Sequence, residues 1–415
     1  MKTMKKWNWK QWPVSQESTR HQIEQVLHSN RWAITGYWTG QNSMEQQFAE
    51  KFADFHQVDY CLPTTNCTSA LQLSMEALDI GYGDEVIVPA LTWVATVTAV
   101  LNVNATPILV DIDPHTYCID PQKIEHAITD RTKAVIPVHL YSSMANMDDI
   151  LSIAQKYDLF VIEDCAQSHG AEWDGQKAGT LGDIGCFSMQ HGKVITSGEG
   201  GALITKRAEI YKRLDRLRAD SRARIQKTDL RFGDMEIVPN EVVIQGNNHC
   251  LSEFQSAILI DQVNHFEEQN KYRNEQALYV NEQLQKISGI CLQTKYPKNK
   301  TITIYSYCIK LDRDIIQKTP QEICAALIEK TGLGTFFVHP SYPAVHQNPI
   351  FCPWTKKRYP PEIAKTESYW RNLQFEHAER AHEETVVFHH SLFLNDREHI
   401  DYFLECLTSI LTDAG

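Results

Sequence analysis

From residue 60 to residue 205, short apolar runs alternate with longer stretches that have the composition of helices. Three of these stretches, at residues 67–78, 121–130 and 147–157, are long enough for a helix that connects two parallel strands. The alternation predicts an α/β fold with a mostly parallel central sheet, and it places ligands beyond the carboxyl ends of the strands. The predicted strands are Tyr60–Thr64, Glu85–Pro89, Pro107–Asp111, Ala134–Val138, Leu159–Glu163, Ile184–Ser188 and Ala202–Thr205.

The pattern changes after residue 250. A long polar helix from Leu251 to about Ile287 is followed by a short strand pair around Ile302–Leu311 and by further helices. A chain of 415 residues exceeds the usual size of one hydrophobic core. We therefore expect a large α/β domain with an N-terminal arm over residues 1–250 and a smaller α+β domain over residues 251–415. The segment Gly332–Pro360 is predicted to be a long ordered loop region, and such loops often carry function.

Composition argues against several classes of function. A net charge of −12 and a pI of about 5.8 oppose nucleic-acid binding, because phosphate contacts need a basic surface. No apolar run approaches the roughly 18 residues of a membrane span, and no apolar core follows the N-terminal lysines, so a cytoplasmic protein is expected. The 11 cysteines include no CxxC pair, which opposes a disulfide framework or a zinc ribbon. No metal site is predicted, and the adjacent His389 and His390 are expected to be core residues.

Polar or aromatic side chains follow three of the predicted strands. Thr68 and Ser69 begin the helix after the first strand, where hydroxyls and backbone N–H groups either bind an anion or form an ordinary N-cap. Asp164 follows the fifth strand. A carboxylate there has two interpretations: it is paired with a cation or with hydrogen-bond donors, or it caps the next helix. Trp93 follows another strand and either covers a flat ring or packs in the core.

A single lysine, Lys193, lies in the turn-rich stretch GDIGCFSMQHGKVITSGEGG at residues 182–201, shortly after Ser188 on a strand. An amine at the edge of a buried sheet can have a lowered pKa and act as a nucleophile toward carbonyl groups. Pyridoxal 5′-phosphate would use four of these features at once. Its phosphate suits the helix terminus, its ring suits Trp93, its pyridine nitrogen suits Asp164 and its aldehyde suits Lys193. The combination favours this cofactor more than any one feature does.

Three motifs carry a family resemblance. VIEDCAQSHGA at residues 161–171, GTLGDIGCFSMQHGKVITSGEGGALIT at 179–205 and GNNHCLSEFQSAIL at 246–259 resemble signatures of the DegT/DnrJ/EryC1/StrS family of sugar aminotransferases. That family has the pyridoxal-phosphate fold type I of aspartate aminotransferase, and the resemblance covers nearly the whole chain. It implies that the catalytic residues are Lys193, which bonds covalently to the cofactor, and Asp164, which keeps the pyridine nitrogen protonated.

The same resemblance implies the remaining cofactor contacts. Gln167 would reach the ring hydroxyl, and Trp93 would stack on the ring. Thr68, Ser69 and Ser188 would bind the phosphate. Asn248 would approach from a second subunit, which implies a homodimer with shared active sites.

Further motifs are similar to one branch of the family, the aminotransferases that act on keto-inositols such as 2-deoxy-scyllo-inosose and scyllo-inosose in aminocyclitol antibiotic biosynthesis. These motifs are SNRWAITGYWTG at residues 29–40, LRADSR at 217–222, GTFFVHPSYPAVHQNPIFCPWTKKRY at 334–359 and FHHSLFL at 388–394. The resemblance implies L-glutamine as the amino donor, with glutamate as the runner-up, and a cyclic ketone as the acceptor. Two alternatives stay open: an aminotransferase for a nucleotide-linked keto-sugar, and a non-catalytic regulator that binds pyridoxal phosphate.

Other residues in these motifs have two interpretations each. Arg218 and Arg222 are candidates for the donor carboxylate, with exposure on the surface as the competing expectation, and His339 and Tyr342 contact acceptor hydroxyls or pack the loop. The family's phosphate loop usually has Gly or Ala where this chain has Cys67, so close backbone approach requires that side chain to turn aside. GNNHC and LRADS stand where the family has GYNYR and LRNHG, which implies that no nucleotide-sugar pyrophosphate has to be held.

Overall fold

The computed structural model of the protein describes residues 7–36, 39–224, 235–237 and 243–412. Tyr37 and Trp38 of the motif at residues 29–40 therefore lie outside the described residues. The strands are β1 (Tyr60–Thr64), β2 (Glu85–Pro89), β3 (Thr106–Val110), β4 (Thr132–Val135), β5 (Phe160–Asp164), β6 (Glu172–Trp173), β7 (Gln176–Lys177), β8 (Ile184–Ser188), β9 (Gly201–Thr205), β10 (Ala223–Arg224), β11 (Met235–Glu236), β12 (Ile290–Leu292), β13 (Asn299–Thr301), β14 (Ser306–Leu311), β15 (Val338–Pro340) and β16 (Thr385–His389).

The α-helices of the described residues alternate with these strands in the first half of the chain and dominate its last part. They are α1 (Glu17–Ser29), α2 (Met44–His56), α3 (Cys67–Ala77), α4 (Ala95–Asn102), α5 (Pro121–Ala127), α6 (Met147–Tyr157), α7 (Ala208–Arg218), α8 (Glu253–Leu284), α9 (Pro320–Thr331), α10 (Pro361–Ala364), α11 (Glu367–Arg371), α12 (Glu376–Glu384) and α13 (Arg397–Thr412). Short 3-10 helices cover Val345–Gln347, Pro353–Thr355 and His390–Leu394. Among the described residues, no helix has both the length and the apolar character needed to cross a bilayer.

A seven-stranded sheet in the order β1-β9-β8-β5-β4-β2-β3 forms the centre of the fold. Neighbouring strands from β8 to β3 pair in parallel, whereas β9 is antiparallel to both of its neighbours. Every residue of β2, β8 and β9 is buried, as expected for strands that are covered on both faces. The predicted α/β fold is confirmed; three predicted strands have the observed bounds, and the other four are displaced by one to three residues.

A second sheet, in the order β12-β14-β16-β15, is antiparallel throughout. The predicted strand pair around Ile302–Leu311 is wrong, because β14 pairs with β12 and β16, and β13, the strand just before it, pairs with β6. The carbonyl oxygen of Ile302 instead accepts hydrogen bonds from the side chains of Asn270 and Asn274, at 3.1 and 2.8 Å. The backbone at Ile302, between β13 and β14, is therefore bound to α8.

The predicted long polar helix is α8, which has 32 residues. Ser252 caps it by accepting a hydrogen bond from the backbone N–H of Gln255, whose side chain reaches back to the N–H of Ser252. The first part of α8 contributes Ala257 and Leu259 to one hydrophobic cluster, and its second part contributes Ala277 to another. The helix thus connects the two main packed regions of the protein.

The larger hydrophobic cluster surrounds the central sheet, and the smaller one lies between the second sheet, α9 and α13. Buried residues from the later part of the chain, among them Val345, Phe351, Trp370 and Ala378, belong to the larger cluster. The division of the chain into domains at residue 250 stays a prediction.

Candidate active site

A cavity of about 740 Å³ opens at the carboxyl ends of the parallel strands. Asp164 is the last residue of β5 and Ser188 the last residue of β8, so both side chains lie at this edge. The cavity brings together all but one of the predicted catalytic and cofactor-binding residues: Thr68, Ser69, Trp93, Asp164, Gln167, Ser188 and Lys193.

Lys193 lies in the loop between the antiparallel strands β8 and β9, and this loop folds back on itself. The Lys193 N–H donates to the carbonyl of Gln190 at 2.8 Å, and the Thr196 hydroxyl donates to the carbonyl of Met189 at 3.1 Å. Gly198 has a φ of +86°, a left-handed conformation that favours glycine, and its N–H donates to Thr196 Oγ1 at 3.0 Å. The turn formers around the lysine therefore build a compact loop that presents one amine to the cavity.

The amine of Lys193 lies over the ring of Tyr305, with Nζ 4.1 Å from the ring centroid. Burial lowers the pKa of Lys193, while the nearby Tyr342, Asp164 and Cys67 act in the opposite direction. A lowered pKa increases the fraction of neutral amine, the form that attacks a carbonyl group or accepts a proton.

Two histidines hold the residue before the lysine. Nε2 of His389 and Nε2 of His390 lie 2.9 and 3.2 Å from the carbonyl oxygen of Gly192, so both rings donate to one acceptor. Both side chains are buried, and burial lowers the pKa of each, that of His389 to about 3. The end of β16 and the residue that follows it are thereby bound to the Lys193 loop by neutral imidazole rings.

Asp164 is buried, and its carboxylate is held by two donors. The Thr96 hydroxyl donates to Oδ2 at 2.8 Å, and the backbone N–H of Ala166 donates to Oδ1 at 3.1 Å. Burial raises the pKa of Asp164, and these hydrogen bonds together with the charge of Lys193 partly offset that effect. The carboxylate is thus fixed in orientation and would gain from a cationic partner in the cavity.

The N-terminus of α3 forms the opposite wall of the cavity. Asn66 is the N-cap and accepts from the N–H of Ser69 at 2.8 Å, while Ser69 Oγ lies 3.1 Å from Nδ1 of His249. Gly201 is packed directly against this turn, since a Cβ atom there would lie 2.4 Å from the backbone carbon of Asn66. The side chain of Cys67 is buried and lines the cavity, and burial raises the pKa of its thiol.

Gln167 and Trp93 take separate positions in the cavity. Oε1 of Gln167 accepts from the backbone N–H of Tyr141 at 3.0 Å, which orients the amide and leaves its NH₂ group as a donor. The ring of Trp93 is 49% exposed and lies 5.6 Å from that of Tyr342, so it is not a core residue. An exposed aromatic face at the strand ends suits stacking on a planar ring.

Four other predicted positions lie outside this cavity. Asn248 is exposed and does not line it, so its predicted contact from a second subunit stays a prediction. The competing expectation that Arg218 is exposed on the surface is wrong. Arg218 is fully buried, because Glu45, which is distant in sequence, and Asp215, one turn earlier on α7, satisfy its charge. Arg218 also does not line the cavity.

Arg222 and His339 have local partners. Arg222 is paired with Asp220 at 3.1 Å. Nδ1 of His339 lies 2.7 Å from the carbonyl oxygen of Pro340, and His339 does not line the cavity, whereas Tyr342 does.

Sequence reasoning missed two residues that complete the site. The sequence could have indicated Thr96 as a site residue, because it lies four positions after Thr92 in the same strand-end motif as Trp93. Tyr305 has no such signal, since it precedes β14 in a part of the sequence that was predicted to be an ordinary strand pair. Its position under the Lys193 amine follows from the packing of two sheets.

The side chains in the cavity fit pyridoxal 5′-phosphate. They provide an amine (Lys193), an oriented carboxylate (Asp164), an amide donor (Gln167), an exposed aromatic face (Trp93) and the N-terminus of α3, each matching one part of that molecule. The cavity volume of about 740 Å³ is within the usual range for cofactor sites. The role of each residue toward the cofactor stays a prediction.

Comparison with known proteins agrees with this chemistry. An L-glutamine:2-deoxy-scyllo-inosose aminotransferase from Streptoalloteichus tenebrarius is 39% identical over 98% of this chain and 95% of its own length. An L-glutamine:scyllo-inosose aminotransferase from Streptomyces griseus is 38% identical over 98% of this chain and 95% of its own. The crystal structure of 3-amino-5-hydroxybenzoic acid synthase has 25% identity and a TM-score of 0.82, and the match covers 98% of this chain and 99% of that one.

The profile of one family matches residues 14–403, nearly the whole chain. Its members are aminotransferases that depend on pyridoxal 5′-phosphate. The chain therefore belongs to the DegT/DnrJ/EryC1/StrS aminotransferase family.

Proposed function

We propose that this protein transfers the amino group of L-glutamine to a cyclic keto-inositol, such as 2-deoxy-scyllo-inosose or scyllo-inosose, in aminocyclitol biosynthesis. The two relatives at 39% and 38% identity support this proposal, since both take their names from that donor and that class of acceptor. Each of them is matched over 95% of its length, so the similarity includes the regions on both sides of the cavity.

The side chains that line the cavity support a separate role for each of them in binding the cofactor. Lys193 would anchor the cofactor covalently, Asp164 would hold its ring nitrogen, Gln167 its ring hydroxyl and Trp93 its ring face. The phosphate would be bound by Thr68, Ser69 and Ser188 together with the N-terminus of α3. When bound, pyridoxal 5′-phosphate supplies an electron sink for the charge that develops on the donor's α-carbon.

Lys193 would carry the proton in both halves of the reaction. Its amine takes the proton from the α-carbon of the donor in the first half and returns one to the acceptor carbon in the second. Burial supports this role because it lowers the pKa of Lys193 and favours the neutral base. Asp164 would stay fixed throughout, held by Thr96 and by the N–H of Ala166.

The observation that carries the choice of acceptor is the charge of the cavity. Among the described residues that line it, Lys193 is the single cation, and the acidic side chains are Asp164 and Glu199. A nucleotide-linked sugar carries a pyrophosphate, which needs cations or several donors beyond those that hold the cofactor. An uncharged cyclitol ketone does not, and its hydroxyls match neutral side chains such as Gln190 and Tyr342.

We further infer a cytoplasmic homodimer in which Asn248 of one subunit completes the phosphate site of the other. The exposure of Asn248 supports this, because its side chain is accessible to a second copy of the chain. Its neighbour His249 contacts Ser69, so the loop that carries Asn248 lies beside the phosphate end of the cavity.

The test is a comparison of acceptors with one donor. The holoprotein is incubated with L-glutamine and either scyllo-inosose, 2-deoxy-scyllo-inosose or a nucleotide-linked keto-sugar, and the amine product is measured by mass spectrometry. We expect turnover of a keto-inositol, and none by Lys193→Ala. Turnover of the nucleotide-linked sugar alone would refute the acceptor, and no reaction of the cofactor with any amino donor would indicate a binding protein without activity.

The donor is tested in the same assay. L-glutamate replaces L-glutamine at equal concentration, with the keto-inositol as the acceptor. A higher kcat/KM with glutamate would refute glutamine as the donor, while leaving the acceptor unaffected.

A further inference from the structure

A second cavity, of about 430 Å³, lies between the second half of α8 and β12 and β14 of the second sheet. Its volume falls within the range of sites for small molecules. One wall is apolar and includes Leu278, Leu292 and Ile304, while the polar part includes Asn281 and Lys295. None of its lining residues belongs to the lining of the active-site cavity.

Lys295 is the single charged residue among the described residues that line this cavity. The chain as a whole is acidic, with 52 Asp and Glu against 40 Lys and Arg. The described lining of this cavity, which has one cation and no carboxylate, is of the opposite sign. Nζ of Lys295 donates to the carbonyl oxygen of Ser142 at 2.6 Å, and among the described residues no carboxylate lies within ion-pair distance of it. Burial lowers the pKa of Lys295 to about 8.

A partly buried ammonium without a counter-charge carries a desolvation cost, and an anion in the cavity would offset that cost. Further donors face the same space. Oδ1 of Asn281 accepts from the Tyr307 hydroxyl at 2.6 Å, which leaves the NH₂ group of Asn281 without a partner in the described part of the chain. The side chains of Thr294 and Gln285, which are exposed at the mouth of the cavity, likewise make no hydrogen bond to other described residues.

We propose that this cavity binds a small oxyanion, a carboxylate or phosphate on a compact body with an apolar face, with Lys295 as its cationic partner. The ammonium pairs with the anion, Asn281 and Thr294 donate to its oxygens, and the wall with Leu278 packs against its body. The same chemistry serves a carboxylate and a phosphate, and the experiment below distinguishes them.

Hydrogen bonds connect Lys295 to the active site through the turn that contains Tyr141 and Ser142. Ser142, whose carbonyl accepts from Lys295, donates its hydroxyl to the carbonyl of Ser306 at 2.8 Å and accepts from the N–H of Tyr305 at 3.0 Å. The Tyr305 ring lies under the Lys193 amine. An anion that draws the ammonium toward itself would weaken its bond to the Ser142 carbonyl, and this would couple occupancy of the second cavity to the position of Tyr305.

The neighbouring residue gives a second connection. Tyr141 precedes Ser142 in the turn, and its N–H holds Oε1 of Gln167, which lines the active-site cavity. Both turn residues have positive φ, 51° for Tyr141 and 64° for Ser142, a conformation that persists in non-glycine residues when the surrounding contacts fix it. Loss of the Lys295 contact removes one of those constraints.

Isothermal titration calorimetry of the holoprotein, saturated with pyridoxal phosphate, tests the site with inorganic phosphate and with malonate as separate probes. We expect saturable binding of at least one probe to the wild type, and binding about tenfold weaker or more to Lys295→Met, because a charge-assisted contact is lost. Lys133→Met, which removes an exposed lysine of β4, is the matched control and should bind as the wild type does. The tighter probe identifies the anion.

A second variant covers the case in which Lys295→Met does not fold. Gln285 is exposed at the end of α8, so Gln285→Glu should fold normally, and its carboxylate should weaken binding of either probe severalfold by repulsion. Absence of saturable binding at millimolar concentrations, or equal affinity in the wild type and both cavity variants, would overturn the proposed site.

The coupling has its own readout. The KM for the amino donor is measured in the wild type and in Lys295→Met, each with and without the bound probe. We expect the probe to shift KM in the wild type and not in the variant. Binding that leaves the wild-type KM unchanged would overturn the connection to the active site.

Discussion

His56 makes the stability of the protein sensitive to mild acid. It ends α2, is 2% exposed, and lies among the rings of Phe52, Phe55 and Phe187 at centroid distances of 4.3, 4.8 and 4.7 Å. Nδ1 lies 2.9 Å from the carbonyl oxygen of Phe52, and Nε2 is buried without a partner among the described residues. Burial lowers the pKa of His56 from 6.5 to about 3, so the folded protein keeps it neutral.

The magnitude follows from the difference between folded and unfolded pKa. A histidine whose pKa falls on folding contributes its full stability above 6.5, its unfolded value, and that contribution is lost as the pH falls toward 3. One pH unit in this window corresponds to about 1.4 kcal/mol, so the loss between pH 6.5 and pH 5 is about 2 kcal/mol. Leucine has a similar volume and does not titrate. We therefore expect His56→Leu to gain about 2 kcal/mol relative to the wild type between pH 7 and pH 5.

Urea unfolding, followed by tryptophan fluorescence at pH 7, 6 and 5, measures this difference in the free energy of unfolding. At pH 7 the variant should lie within about 1 kcal/mol of the wild type. His28→Gln, at an exposed position near the end of α1, is the control and should track the wild type at each pH. A difference between His56→Leu and the wild type that does not change with pH would show that His56 is not held neutral by burial.

Three further predictions concern the active site and the fold. Asp164→Asn keeps an acceptor for the Ala166 N–H, and its NH₂ group can donate to the Thr96 hydroxyl, but it cannot hold a ring cation, so kcat should fall at least about a hundredfold with little change in Tm; an unchanged kcat would remove Asp164 from the mechanism. Gly201→Ala places a Cβ atom 2.4 Å from the Asn66 backbone, and titration with pyridoxal phosphate should show weaker binding, whereas Gly81→Ala, where the nearest atom lies at 3.5 Å, should bind normally. Burial raises the pKa of Glu253 from 4.5 to about 7, so its contribution to stability is present below 4.5 and lost as the pH rises through 7. Glu253→Gln should therefore gain roughly 3 kcal/mol relative to the wild type over that window in urea unfolding, and a gain in the opposite direction would contradict burial as the cause.

The sequence predicted the central sheet well because its signal is local. Strands such as Glu85–Pro89 and Ile184–Ser188 are short β-branched or apolar runs bounded by turns, and their burial requires nothing beyond helices on both faces. The side chains at the strand ends followed from the same rule, since Asp164 and Ser188 must lie at one edge once the strands are parallel. Their convergence with Lys193 was thus predictable without any long-range contact being known.

Other features depend on contacts between distant parts of the chain, and these the sequence did not reveal. Arg218 is buried because Glu45, 173 positions earlier, supplies its counter-charge. Tyr305 reaches Lys193 because the second sheet packs against the strand ends of the first. The backbone near Ile302 is bound by α8 side chains instead of a partner strand, which apolar periodicity cannot distinguish from pairing.

The antiparallel direction of β9 has a consequence for the reactive amine. Had β8 been followed by a parallel neighbour, the connection would have needed a crossover segment, usually a helix, of a dozen or more residues. Because β8 and β9 are antiparallel neighbours, the chain instead turns back at the same edge of the sheet. At the base of this turn, the backbone N–H of Met189 donates to the carbonyl oxygen of Gly200 at 2.8 Å. Both ends of the lysine's loop are therefore anchored to adjacent strands at the edge of the sheet where the cavity opens, so the position of the amine depends on the pairing of β8 with β9.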